Sequence, residues 1–317
     1  MPPLTPGSVH KSKRDILGVM IRNRRFILSI GIALILLGLI IWGIVWLVVG
    51  RSTQPLLPLN APGTTLPGTG PITIVLSPDF GDAVLSLGGM LAQHTRPAIV
   101  VTFFTGEPTP ATSTTIDMES GFTNSTIAGN VRVAENDQAL SSLGAVAENY
   151  GYLGSEYGQP IASDVLESDI TQNIQALLVA NTGRQVYVYG PADFGAQTSA
   201  DDAVVHNAFT DTVNGFPGTN VHFFYYEPYP AVALWNATAT SSLRNFLQNE
   251  TGLFLTTTNI ALSSNQVSAK ISALQKYHSL AQMYQKQGTN IVQGAQNFTA
   301  TRCAGQACEV VYTIGQN

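Results

Sequence analysis

Two acidic turns carry the side chains with the clearest chemical potential. Asp79 and Asp82 lie in the segment SPDFGDAV, directly after a short apolar run, and Asp201 and Asp202 lie after a later one. Carboxylates are the ligands that hard divalent cations prefer. Each turn also precedes a predicted helix, where an aspartate caps the first N–H groups or favours the helix dipole. Residue type alone leaves both interpretations open.

Apolar β-branched runs and helical repeats alternate along the chain from about Pro71. This alternation predicts an α/β fold: a Rossmann-like, mostly parallel sheet flanked by helices. The predicted strands are Ile72–Ser77, Ala98–Phe104, Gln185–Tyr189, Val221–Tyr226 and Leu253–Thr257. The predicted helices are Asp82–His94, Val131–Leu143, Ile161–Ala180, Ala200–Phe209 and Val267–Lys286. Ligands bind beyond the C-terminal ends of such strands, so both acidic turns lie where a site is expected.

A long loop follows the second predicted strand. Residues Thr105–Asn130 are rich in Ser, Thr and Gly. A loop of this length is typical either of a lid over a binding site or of a disordered segment. The sequence does not distinguish the two.

The first acidic turn extends into SPDFGDAVLSLGG over Ser77–Gly89. It resembles the motif S-P-H-P-D-D-E-V-L-G-x-G-G of the PIG-L/LmbE-like family of zinc-dependent amino-sugar N-deacetylases and aligns with it without gaps. Further matches follow in the family's order: VVTFFTGE at Val100–Glu107, Arg132-x-x-Glu135 with Ala139 and Leu143-Gly144, Tyr152–Glu156, and Lys270 with Ala273-Leu274 and Tyr277–Ser279. The resemblance spans Ile72 to Lys286 and implies that family's fold.

The resemblance also implies roles for individual residues. In the family, the His and the second Asp of H-P-D-D bind zinc and the first Asp is the general base. Here Asp79 and Asp82 hold the two ligand positions and Gly81 occupies the base position. The family's later H-x-D-H motif is matched by Ser199-Ala200-Asp201-Asp202, so Asp202 becomes the third ligand. The resemblance adds as pocket residues Arg132, Glu156, Ser199 and Asp201, and it leaves no catalytic residue in place.

These substitutions predict a site with altered chemistry. Catalytic zinc favours imidazole or thiolate ligands, whereas three carboxylates suit Ca²⁺, Mg²⁺ or Mn²⁺, so the expected cofactor is one of these cations or none. Gly81 cannot take a proton from water, and a positioned base contributes about 10²–10⁴-fold to rate. The histidine lost at Ser199 would have stabilised the oxyanion, which contributes about 10²–10³-fold.

Three functions compete on this basis. The first is a deacetylase-fold protein that binds an amino sugar or glycan, with hydrolysis weak or lost. The second is an active N-deacetylase of N-acetylglucosaminyl substrates that uses a carboxylate metal site. The third is an interaction module that kept only the scaffold. The lost base and histidines favour the first.

An apolar run without charges predicts one N-terminal transmembrane helix over residues 26–50. A helix of that length exceeds the ~30 Å hydrocarbon core. Six basic residues and one acidic residue precede it, so the positive-inside rule places residues 1–25 in the cytoplasm and the rest of the chain outside. A cleaved signal peptide is the alternative, but the run is longer than its apolar region and ends without a small-residue cleavage site.

The remainder of the chain is predicted to form a linker and one outer domain. Residues 51–70 carry four prolines and read as a linker, and residues 71–317 form the ectodomain. After residue 25 acidic residues outnumber basic ones by nineteen to nine, which argues against a nucleic-acid partner. Outside the cytoplasm, Cys303 and Cys308 are expected to form a small-loop disulfide.

Overall fold

The computed structural model describes Leu66 and residues 68–158, 161–195, 198–234 and 240–315. The chain divides into two units, Met1–Pro55 and Leu56–Asn317, and all of the described residues lie in the second. The predicted cytoplasmic segment, the predicted membrane helix and most of the predicted linker fall outside this part. Within it, no helix has the length and apolar character needed to cross a membrane.

A seven-stranded sheet forms the centre of the described part, in the order β3-β2-β1-β4-β5-β7-β6. Its strands are β1 (Ile72–Ser77), β2 (Ala98–Thr102), β3 (Ala145–Asn149), β4 (Val186–Pro191), β5 (Val221–Tyr226), β6 (Leu255–Ala261) and β7 (Cys308–Ile314). The first five strands pair in parallel, and β7 pairs antiparallel with both β5 and β6. The prediction of a mostly parallel α/β sheet is therefore confirmed.

Helices cover both faces of the sheet. They are α1 (Asp82–Leu91), α2 (Thr115–Glu119), α3 (Ser125–Ser142), α4 (Ser163–Ala180), α5 (Ala200–Gly215), α6 (Ala231–Leu234), α7 (Thr240–Thr251), α8 (Ser264–Leu274), α9 (His278–Lys286) and α10 (Ile291–Thr301). One core packs α4, α5 and α7 on one face, and a second core packs α1, α3, α8 and α10 on the other. Because both faces are buried, β1 is apolar along nearly its whole length.

The structure corrects the sequence prediction at three places. The helix expected over Val267–Lys286 is two helices, α8 and α9, because the chain turns between Leu274 and His278. Strands β3 and β7 were not predicted. β3 is a five-residue edge strand with a partly exposed, non-apolar sequence, and such a strand gives a weak periodic signal. The predicted disulfide between Cys303 and Cys308, by contrast, is present and joins the segment just after α10 to the start of β7.

A buried ion pair joins α1, α8 and β7. Helix α1 is kinked at Leu87 (φ −125°, ψ 16°). Beyond the kink, the N–H groups of Gly89 and Met90 donate to the Glu309 carboxylate at 2.8 and 2.7 Å. Lys270 lies 2.8 Å from the same carboxylate, and both side chains are about 2% exposed. Glu309 therefore accepts the N–H groups beyond the kink, and Lys270 neutralises its charge.

The glycines of the first motif make this packing possible. A Cβ atom on Gly88 would lie 2.9 Å from Lys270 Cγ. One on Gly89 would lie 2.3 Å from Leu262 Cδ1. Neither distance is compatible with van der Waals contact. The Gly-Gly pair thus serves close approach between α1 and the segment Leu262–Lys270, rather than a ligand.

Replacing Glu309 by glutamine is expected to destabilise the protein strongly. The change leaves the Lys270 ammonium buried without its counter-charge, which typically costs about 3–5 kcal/mol. Chemical denaturation of the full-length chain measures this loss. The exposed Asp137 is the matched control, since its change to asparagine should shift the free energy of unfolding by less than about 0.5 kcal/mol. Equal effects for the two variants would contradict the assignment.

Candidate functional site

A cavity of about 180 Å³ lies at the carboxyl ends of β1 and β2, where ligands bind in open α/β sheets. Its lining includes the turn after β1, the segment Phe104–Gly106 after β2, and side chains from α2, α3 and α9. Of the predicted site residues, Asp79, Asp82, Arg132 and Glu156 line this cavity. These four residues lie at the strand ends, where the sequence analysis expected a site, and their functional roles stay predictions.

The first acidic turn is built around its own hydrogen bonds. The Asp79 N–H donates to Asp82 Oδ2 at 2.7 Å. Ser77 Oγ donates to the Asp79 carbonyl at 2.8 Å and accepts the Ala83 N–H at 3.2 Å. Asp82 thus has a structural role in closing this turn, as the capping interpretation predicts. One of its oxygens, Oδ1, is not used in that bond.

Gly81 sits between the two aspartates in a left-handed conformation, with φ +94°. A Cβ atom at this position would lie 2.9 Å from Leu280 Cδ2 and 3.8 Å from the Tyr277 ring. The space that a side chain at position 81 would enter is thus already occupied by α9. The position that the resemblance assigns to the base holds no proton acceptor.

The second acidic turn opens helix α5. Ser199 and Asp202 form a capping box, in which the Asp202 N–H donates to Ser199 Oγ at 3.0 Å and Asp202 Oδ2 accepts the Ser199 N–H at 3.2 Å. Asp201 is 2% exposed, and its Oδ2 accepts both the N–H and the hydroxyl of Ser155 at 2.9 Å. This bond ties α5 to the short 3-10 turn that carries Glu156. Ser199 is exposed, and its side chain forms the N-cap of α5.

The two turns lie close enough for their charges to interact. Burial raises the pKa of Asp79 well above its ordinary value, and the charge of Asp82 raises it further. Burial raises the pKa of Asp82 as well, followed by the charge of Asp202. The pKa of Glu156 is raised by burial and then, more weakly, by Asp201. The predicted carboxylates therefore form an acidic cluster in the sense that their charges interact. Asp79, Asp82 and Glu156 line the cavity, whereas Asp201 and Asp202 are not part of its lining.

The donor set of this cluster does not fit zinc. Among the residues that the structure describes, no group of three or more His, Cys, Asp or Glu side chains is arranged to hold a metal ion. The cluster contains carboxylates without imidazole or thiolate, which suits a hard cation rather than zinc. His206 lies one turn after Asp202. Its Nδ1 contacts the Pro191 carbonyl at 2.9 Å and the Asp193 N–H at 3.1 Å, so this nitrogen is not available to bind a metal ion.

Arg132 is held on the opposite wall of the cavity. Its Nη2 lies 3.1 Å from Asp117 Oδ1, and its Nη1 donates to the Tyr157 hydroxyl at 3.3 Å. Tyr157 in turn donates to Asp117 at 3.0 Å. Asp117 is fully buried and lies on α2, within the long loop of the prediction. The loop Thr105–Asn130 thus forms an ordered wall of the cavity that carries α2 and the start of α3.

The late motif contacts the Arg132 helix directly. Glu135 accepts the Ser279 N–H at 3.0 Å and the Ser279 hydroxyl at 2.5 Å. Tyr277 donates to Asn136 at 2.8 Å. These bonds fix α9 against α3 and set Leu280 and Tyr284 into the cavity. Sequence reasoning did not identify Tyr284, although it lies seven residues after Tyr277 and four after Leu280, which places these side chains on one helical face.

The fold is shared with solved deacetylase structures. A teicoplanin deacetylase in a zinc-inhibited form superposes with a TM-score of 0.63 and 18% identity, covering 78% of this chain and 98% of that one. A deacetylase of the A40926 pseudoaglycone gives 0.61 and 20%, covering 77% and 96%. A deacetylase–teicoplanin complex gives 0.59 and 18%, covering 78% and 100%.

These neighbours place the described part in the class of deacetylase-fold α/β proteins. At 18% and 20% sequence identity, the likeness is one of fold. No protein-family model and no curated protein matches the chain. The fold implied by the motif resemblance is therefore supported by structure.

Replacing Asp79 by asparagine is expected to stabilise the protein at neutral pH. A carboxyl whose folded pKa is raised above its ordinary 3.8 destabilises the fold increasingly as pH rises through the interval between the two values. The gain should be small near pH 4 and reach a few degrees of Tm at pH 7, since ~1 kcal/mol corresponds to about 2–4 °C here.

Thermal unfolding across pH, with a chelator present, measures this difference. Asp137→Asn, on the exposed face of α3, is the control and should show no such pH dependence. A Tm for Asp79→Asn that falls below wild type at pH 7 would show that Asp79 is not in a repulsive environment.

Proposed function

We propose that this chain binds an amino sugar or glycan in the cavity beyond β1 and β2, with hydrolysis of the acetamide weak or lost. The deacetylase fold and the position of the cavity support the ligand class. The carboxyl groups of Asp79, Asp82 and Glu156 line the cavity and offer acceptors for the hydroxyl and N–H groups in which amino sugars are rich. The cavity volume of about 180 Å³ suits one sugar unit at a time.

The observation that carries the reduced activity is the packing around Gly81. A hydrolase of this kind must remove a proton from water as it attacks the amide carbon. Gly81 supplies no acceptor, and Leu280 Cδ2 lies 2.9 Å from where a Cβ atom would be. The apolar Leu280 side chain thus fills the space beside position 81, where the family has its general base, and keeps water out of it.

The second lost group weakens hydrolysis further. Ser199, at the position of the family's histidine, is exposed and forms the N-cap of α5. The Ser199 hydroxyl donates its proton to Asp202 Oδ2 at 2.9 Å, so it does not offer that proton to the oxyanion of a tetrahedral intermediate. Hydrolysis of the acetamide would therefore lack both the general base at position 81 and the oxyanion donor at position 199.

A specific observation favours the alternative of an active metal-dependent N-deacetylase. Several buried carboxylates raise one another's pKa, and a divalent cation bound among them would relieve that repulsion. The resemblance assigns such a cation to Asp79, Asp82 and Asp202, which in the described part of the chain are not arranged to hold a metal ion and would have to move together to do so. Ca²⁺, Mg²⁺ or Mn²⁺ suits these carboxylates better than Zn²⁺. When bound, the cation would supply Lewis acidity to a substrate carbonyl.

We further propose that residues 26–50 anchor the chain in a membrane as a single-pass protein, with residues 1–25 in the cytoplasm and the deacetylase-fold domain outside. The uneven charge on the two sides of the apolar run supports this orientation. The disulfide between Cys303 and Cys308 is in keeping with an oxidising compartment.

The full-length chain is expected to bind an N-acetylglucosamine oligosaccharide without releasing acetate faster than its Asp82→Ala variant. Calorimetry measures the binding, and an acetate assay measures turnover. Asp137→Ala serves as the matched control and should bind as the wild type does. Metal-dependent acetate release that Asp82→Ala abolishes would establish the alternative enzyme. Absence of both binding and turnover in the folded protein would favour an interaction module.

Any cation that binds is expected to be hard. Calcium, magnesium or manganese should raise the Tm of the wild type, and Asp82→Asn should remove most of the effect because it removes a negative ligand. Elemental analysis of the purified chain complements the titration. Stoichiometric, tightly held zinc would overturn the prediction, since it would require ligands other than these carboxylates.

A further inference from the structure

The end of the sheet opposite the cavity has a surface without acidic residues. Five segments there connect a helix to the amino end of the next strand, and together they form what we call the amino-end surface: 92–97, 143–144, 181–185, 216–220 and 252–254. None of the five contains an aspartate or a glutamate, although nineteen acidic residues follow residue 25. The nearest in sequence, Glu250, lies close enough to Asp193, beyond the far end of β4, for their charges to interact.

Two apolar side chains are exposed at this end. Phe254 is 64% exposed, although its carbonyl accepts the Gly315 N–H at 3.0 Å and so belongs to ordered backbone. Val179, in the last turn of α4 just before the segment 181–185, is 58% exposed. The amino-end surface thus presents apolar groups to the surroundings where acidic groups are absent.

A row of stacked amphipathic side chains crosses the same end of the sheet. The Arg96 guanidinium lies 3.8 Å from the centre of the Tyr187 ring, and this ring stacks on His222 at 4.9 Å between centroids. His222 Nε2 lies 2.7 Å from Gln185 Oε1. The three stacked side chains are half-buried, so part of each remains accessible. Rings that carry a polar group are the side chains enriched where a membrane meets water.

The described chain enters the domain at the amino-end surface. Arg184, in the segment 181–185, donates from Nε to the Gly70 carbonyl at 2.7 Å and from Nη1 to the Leu66 carbonyl at 2.8 Å. The predicted membrane helix ends at residue 50, so residues 51–65 connect it to Leu66. These residues can span at most about 55 Å. A tether of this length keeps the domain at high effective concentration near the bilayer.

The cavity end also exposes an apolar side chain, but in a different electrostatic setting. Met118, on α2 in the cavity wall, is 59% exposed. It lies on the side of the molecule that carries the acidic cluster, and the negative potential of a membrane surface disfavours carboxylates there. Exposed apolar side chains without neighbouring acids are found only on the amino-end surface when these two ends are compared.

We propose that the amino-end surface contacts the phospholipid bilayer, with Phe254 in the interfacial layer, so that the cavity opens away from the membrane. The cavity would then take its glycan from the aqueous side rather than from a lipid. This inference rests on the proposed membrane anchor, since the anchor is what holds the domain at the bilayer.

The test compares two single-cysteine labels of matched exposure. The full-length chain, with its native disulfide left oxidised, is placed in nanodiscs of phosphatidylcholine and phosphatidylglycerol. Phe254→Cys and Met118→Cys are each labelled with a fluorophore, and lipids with a nitroxide on the headgroup are the quencher. Fluorescence at position 254 should be quenched several-fold more than at position 118. The reverse order would show that the cavity faces the bilayer and would overturn the proposal.

The wild-type chain gives a second measurement that needs no substitution. Lipids with a photoreactive diazirine near the headgroup are incorporated into the same nanodiscs, and the adducts are located by mass spectrometry. Outside residues 26–50, adducts should concentrate in the segments 216–220 and 252–254 rather than in residues 105–120. Adducts spread evenly over the domain would contradict a defined contact surface.

A separate assay distinguishes failure of this inference from failure of the proposed anchor. The full-length chain should float with vesicles after an alkaline carbonate wash, which removes proteins that are not embedded in the bilayer. If it floats but neither label is quenched, the anchor stands and the contact surface is refuted. If it does not float, the anchor itself is refuted, and this inference with it.

Discussion

The crowding of buried carboxylates at the carboxyl ends of the sheet is the constraint on which the rest of this site depends. Like charges in a poorly solvated place repel, and each must find donors. The structure supplies them from backbone: Asp82 accepts the Asp79 N–H, Asp202 the Ser199 N–H and Asp201 the Ser155 N–H. The aspartates that make this end of the sheet acidic therefore also stabilise the turns in which they lie.

The motifs shared with the deacetylase family fall into two kinds. Those that are kept in this chain serve packing: Gly88 and Gly89 admit α8 against α1, and Glu135 holds Ser279 at the start of α9. Those that differ, at Gly81 and Ser199, are the positions where the family places chemistry. The likeness of fold therefore rests on packing residues and does not by itself establish an activity, because fold and function draw on different residues.

Much of the framework follows from sequence pattern. Strands β1 and β5 begin and end at the predicted residues, since buried parallel strands are continuous apolar runs. Asp79, Asp82, Arg132 and Glu156 reach the cavity as predicted. The roles of Leu280 and Tyr284 did not follow, because the turn between α8 and α9 sets their direction. The periodicity of apolar residues indicates which face of a helix is buried, but it does not predict where α9 lies after the chain turns at the end of α8.

The position of β7 in the sheet has a consequence for how the protein is made. This strand comes after every other described strand in the chain, yet it lies between β5 and β6 and contributes Glu309 to the contact with α1 and α8. Ribosomal synthesis delivers the amino-terminal strands first, so the sheet stays incomplete until these late residues emerge. Until then, the bend in α1 lacks its acceptor and the Lys270 ammonium lacks its counter-ion. The contacts that hold the bend in α1 are therefore among the last that the growing polypeptide can form.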